Sequence, residues 1–122
     1  MKYKTIIYGA GGVGQMLLPC LLSDSDVLFY ITTSGGGEYA GYPIKSCDVL
    51  LDTDLEFDRI FVAVQKTEYQ LQIRELLTTK YKIPSEKICA YEPYLLPIAR
   101  FEFAKSMGGT SPKEESAAIW LN

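Results

Sequence analysis

The sequence predicts an α/β domain built on a mainly parallel sheet of four or five strands, in the order 3-2-1-4-5, with C-terminal helices added. Three observations carry this. Short runs rich in β-branched and aromatic residues alternate with helix-like apolar spacing, as parallel βαβ units require. The first such run ends in a glycine cluster that opens a helix. The chain has 122 residues, 48% of them hydrophobic and 22% charged, which suits one small globular domain.

Lys4 to Tyr8 reads as a buried first strand ending at glycine. From Val13 a helix follows, with Val13, Met16, Leu17, Cys20 and Leu21 at helical spacing. Pro19 lies inside it and is expected to bend or shorten it by removing a backbone hydrogen bond. "SDSD" (Ser23 to Asp26) reads as a polar turn and Val27 to Thr32 as the second strand. "TSGGGEYAGYP" is a loop with four glycines, either mobile or ligand-covering. "PIKSCDVLLD" reads as a brief extended piece and one or two helical turns, and Arg59 to Val64 as a strong strand. Thr67 and Gln70 form a T-x-x-Q capping box ahead of a helix whose apolar face is Tyr69, Ile73, Leu76, Leu77 and Tyr81. A turn at Pro84 leads to a last short strand, Lys87 to Ala90.

The pattern changes after Tyr91, so residues 1–92 are taken as the α/β domain and 93–122 as a helical extension. One helix ending at Gly108-Gly109 is expected in the extension. A second is expected to start with Ser111 as cap, Pro112 at its first position and Glu114 closing a capping box. Its terminal "AAIWL" packs on the domain, makes a homo-oligomer contact or leads to a partner enzyme domain.

Composition removes whole classes of function. Net charge is −3 with no basic cluster, which excludes nucleic acid as a partner. No apolar run reaches the ~20 residues of a membrane span. The start, "MKYKTIIYGAGG", is too short in its apolar run for a signal peptide, so a cytoplasmic location is expected. Cys20, Cys47 and Cys89 are widely spaced and read as reduced, mostly buried thiols. With no histidine and no CxxC pair, no metal site is expected. The missing histidine also excludes Ser-His-Asp and Cys-His catalysis within the chain.

"GAGGVG" places Gly9, Gly11 and Gly14 in a G-x-G-x-x-G pattern, after a strand and at a helix start. Gly9 permits the tight turn, Gly11 leaves room for a pyrophosphate, and Gly14 lets helix and strand approach. The N–H groups and dipole of the helix start attract phosphate. This predicts a Rossmann-like three-layer domain whose turn, Gly9, Ala10, Gly11, Gly12, Val13 and Gly14, cradles a nucleotide. The competing reading is a glycine turn kept for packing alone. The second strand ends in Thr32 and Thr33, where a dinucleotide site usually has an acid for the ribose. Their hydroxyls are expected to meet the ribose, and no arginine lies nearby for the 2′-phosphate of NADP. Gln65, Lys66 and Thr67 follow a parallel strand, where open α/β sheets bind ligands, and are expected to close the far side. Lys66 either meets a phosphate or is a solvated lysine beside a helix cap.

The segments "IIYGAGGVGQMLLPCL", "VLFYITTS…GYPI", "FDRIFVAVQKTEYQLQIRELL" and "IPSEKI" resemble, in order and spacing, a small Rossmann-like domain of bacterial nucleotide-sugar enzymes. The chain resembles the N-terminal domain of amino-sugar acetyltransferases and the related domain ahead of capsular-polysaccharide epimerases, dehydratases and some methyltransferases. The resemblance spans about Met1 to Tyr91 and implies a bound UDP-sugar or NAD on the glycine turn. This chain has Val13 and Gln15 where that family often has histidine and lysine. It has threonines where the family has acids after the second strand, and Gln65-Lys66-Thr67 where the family has glycine and an acid or amide.

No catalytic residues are assigned. None of the nine tyrosines has lysine four positions later, so the Tyr-x-x-x-Lys pair of short-chain dehydrogenases is missing. Tyr39 and Tyr42 either stack on a base or pin the glycine-rich loop, the pin being the commoner role. Asp24, Asp26, Asp52, Asp54 and Asp58 read as solvated turn residues. The expected function is nucleotide binding, of NAD or a UDP-sugar, in polysaccharide biosynthesis. The alternative is an assembly or regulatory module with a vestigial pocket.

Overall fold

Strand β1 (Tyr3–Tyr8) is flanked by two parallel neighbours, β2 (Ser25–Thr32) and β5 (Arg59–Val62). Outside them lie β4 (Tyr42–Ser46), parallel to β2, and β6 (Ile88–Ala90), parallel to β5. The two-residue β3 (Glu38–Tyr39) pairs antiparallel with β4. The result is a mostly parallel six-stranded α/β sheet in the order β3-β4-β2-β1-β5-β6. Six strands form where four or five are expected; β3 is too short for a periodic signal. These relations come from a computed structural model, which describes residues 2–94. The chain divides between Tyr91 and Glu92 into two units. The expected helices ending at Gly108-Gly109 and beginning at Ser111, and the "AAIWL" tail, lie outside the described residues.

Helix α1 (Gly12–Leu21) follows β1, and helix α2 (Thr67–Thr79) follows β5. Alternating residues of the strands serve opposite faces of the sheet. On one face Ile6, Tyr8, Phe29, Ile31, Ile60, Val62 and Ile88 form a core cluster with Leu77 of α2, and Ile73 and Leu76 pack against it. On the other, Ile7, Tyr30 and Phe61 are fully buried, and Gly14 of α1 approaches Tyr30. Full burial of a side chain the size of Leu77 contributes about 1.5–3 kcal/mol. The register between β1 and β2 slips once: Thr5 lies opposite Val27 and Ile6 opposite Phe29, leaving Leu28 as a bulge.

Several expectations change. The buried face of α1 is Gly14, Leu17, Leu18 and Leu21, whereas Met16 is exposed and Val13 and Cys20 are half-buried. The contact at Gly14 sets the helix phase, so the i, i+3, i+4, i+7 stripe begins there. The helix is not shortened at Pro19 but continues to Leu21, with Pro19 on its exposed side. Ser25 and Asp26 belong to β2, because Ser25 pairs with Tyr3. On α2, Tyr69 is exposed and contributes nothing to the core, while Tyr81, beyond the helix, is buried. The T-x-x-Q capping box does not form: Lys66 is the cap residue, and the Gln70 side-chain amide instead donates to the Val64 carbonyl at 2.8 Å.

Of the aspartates read as solvated turn residues, Asp26, Asp52, Asp54 and Asp58 are exposed and Asp24 is half-buried. Asp24 is ion-paired to Arg59 at 2.9 Å, and Asp58 accepts the Lys4 amide at 2.7 Å. The three cysteines are free, but only Cys47 is buried.

Candidate functional site

Because β1, β2, β4, β5 and β6 run parallel, their carboxyl ends share one edge of the sheet. That edge carries the glycine turn after β1, the Thr32-Thr33 end of β2 and the Ala63 to Thr67 segment after β5.

The glycines of the turn divide into two kinds. Gly9 has φ +115°, and a Cβ there would meet the Ala63 carbonyl oxygen at 2.7 Å. A Cβ on Gly14 would fall 1.9 Å from the Gly9 carbonyl oxygen. These two are glycine because the protein leaves no room. Gly11 and Gly12 are different: a Cβ on either would meet nothing within 4 Å, and neither has a positive φ. Both are exposed. Gly11 caps α1 with extended backbone and offers no side-chain hydrogen bond. The first intrahelical bond runs from the Gln15 amide to the Gly11 carbonyl at 2.9 Å. The amides of Gly12, Val13 and Gly14, in the first turn, have no intrahelical acceptor. Ala10 is held by its carbonyl, which accepts from the Gln15 side-chain amide at 3.1 Å.

The β2 end is more committed to its own loop than its hydroxyls suggest. Thr32 Oγ1 accepts the Gly35 amide at 2.8 Å, so it orders the glycine loop. Thr33 is exposed, with its hydroxyl 3.5 Å from that of Tyr8. Gln65, Lys66 and Thr67 are exposed beyond β5, and Lys66 Nζ stands 5.6 Å from the centre of the Tyr69 ring. Gly9 touches Ala63, so the glycine turn and the residue 63–67 segment are neighbours across the β1/β5 boundary.

Two arrangements at this edge escape sequence reasoning. The glycine loop is an ordered hairpin. Its β3–β4 turn has φ +52° at Ala40 and +86° at Gly41, the two positive values of a type I′ turn. Gly36 and Ile44 exchange further bonds with the strand, from the Gly36 amide to the Ile44 carbonyl and from the Ile44 amide to the Gly37 carbonyl. Tyr39 packs edge-on against Tyr30, with ring centres 5.9 Å apart, and the Tyr30 hydroxyl donates to the Gly14 carbonyl at 2.9 Å. Burial, then the neighbouring Tyr39 and Tyr42, push the Tyr30 hydroxyl up to about 12. Tyr39 thereby takes the pinning role expected of the two tyrosines.

The second arrangement lies in the core cluster on the α2 side and joins the segment after β4 to the segment after α2. Tyr81 donates to Asp48 Oδ1 at 2.8 Å and lies 3.0 Å from Cys47 Sγ, which also reaches the Thr33 carbonyl at 3.8 Å. The Cys47 contact, burial and Asp48 together raise the Tyr81 hydroxyl above the ordinary tyrosine range. Nothing in the local sequence pairs residues 33 positions apart.

Among the described residues, no group of three or more histidine, cysteine or acidic side chains is placed to hold a metal ion. No helix of the described residues is long and apolar enough to cross a membrane. No protein-family model matches the chain, and no curated protein matches its sequence.

Proposed function

We propose that this chain is a nucleotide-binding module of nucleotide-sugar or surface-polysaccharide metabolism, Rossmann-like in fold and without a complete catalytic site of its own. The observation that supports it is the pair Gly11 and Gly12. Neither packing nor backbone conformation asks for glycine there, and both stand in open space beside amides without intrahelical acceptors. A phosphate lying against the backbone gives both glycines a reason. The sheet order adds support, since β1 is bordered by β2 and β5 with α1 and α2 serving opposite faces, the kind of boundary where open α/β sheets take ligands.

In this reading the phosphates lie on Gly11 to Gly14, the ribose faces Thr32 and Thr33, and Gln65 to Thr67 border the far side. The ligand is NAD or a UDP-sugar. NADP is disfavoured, because no arginine follows β2.

A thermal-shift panel of NAD(H), UDP-sugars and ADP tests this. A ligand at a hundred times its Kd stabilises the native state by about 2.7 kcal/mol. Gly11→Val is expected to abolish that shift while the free protein still folds, because its side chain enters open space. Silence of the wild-type chain across the panel at millimolar ligand overturns the reading.

One observation favours the alternative of an assembly module. Helix α1 carries no charged residue, and Met16 and Leu22 at its surface are 43% and 42% exposed. Sedimentation of the wild-type chain against Met16→Glu would show a change in mass only if this face joins copies.

A further inference from the structure

We draw no further inference here: the strongest candidate, the uncharged outer face of helix α1 around Met16 and Leu22, carries nothing because nothing in the structure shows what covers it.

Discussion

At the amino edge of the sheet, Arg59 reaches from β5 across β1 to β2. Its guanidinium donates to Asp24 Oδ1 at 2.9 Å, to Ser25 Oγ at 2.6 Å and to Thr5 Oγ1 at 3.2 Å, and it lies 4.4 Å from the Tyr3 ring centre. Thr5 and Ser25 are the buried polar residues of the domain, and both are satisfied there. At the carboxyl edge the opposite holds: the first turn of α1 opens with two exposed glycines and amides that have no intrahelical acceptor. One edge closes its polar groups on one another, and the other leaves them facing outward. The Arg59 network and the glycine turn are thus separated by about the length of a strand.

The sharpest break is expected inside the glycine turn itself. Gly14→Ala drives a Cβ into the Gly9 carbonyl and is expected to destabilise by about 3 kcal/mol or more. Chemical denaturation measures this, and a loss below about 1 kcal/mol would show that the helix can back away from the strand. Next in size, Arg59→Met removes the guanidinium and leaves buried Thr5 and Ser25 without that donor, an expected loss of about 2–3 kcal/mol with ligand affinity unchanged. A matching loss of nucleotide affinity would mean that the two edges are coupled after all.

The third effect depends on pH. Tyr30 holds its proton in the folded state up to about 12, whereas an unfolded tyrosine releases it near its ordinary value of 10. The unfolded state therefore loses its proton first, and stability falls as pH rises through that window, by up to about 2–3 kcal/mol from this group. Tyr30→Phe should show a shallower fall between pH 10 and 12 in denaturation midpoints, and parallel curves would count against the assignment. The smallest effect has the opposite sign. Gly12→Ala puts a better helix former in α1 at a place with free space, so the free protein should gain about 0.5–1 kcal/mol. Nucleotide affinity should fall in the same variant. A gain in stability with full affinity retained would return Gly12 to the category of incidental glycines.

How far the sequence was legible follows from the range of the interactions. The strands expected at Lys4 to Tyr8 and Arg59 to Val64, found at Tyr3–Tyr8 and Arg59–Val62, and the start of α1 at the glycine turn were visible because apolar alternation and glycine placement are local. The buried face of α1 was not, because the Gly14–Gly9 contact sets it and that contact is tertiary. The Thr67-Gln70 capping pattern was present in the sequence but unused, since the Gln70 amide found the Val64 carbonyl first. Of the site, the glycine turn was legible as a motif. The distinction between Gly9 and Gly14, which the fold requires, and Gly11 and Gly12, which it does not, needed the neighbours of each Cα.

The sequence by itself determined the α/β class, the strands that make a mostly parallel sheet, and the absence of any histidine-based chemistry. These depend on composition and short-range period, which survive without knowledge of the fold. Tertiary structure decided the ordered tyrosine hairpin, the Arg59 network across three strands and the Cys47-Tyr81-Asp48 contact. Each joins residues far apart in the chain, and only the packing of strand against strand and helix against sheet brings them within bonding distance.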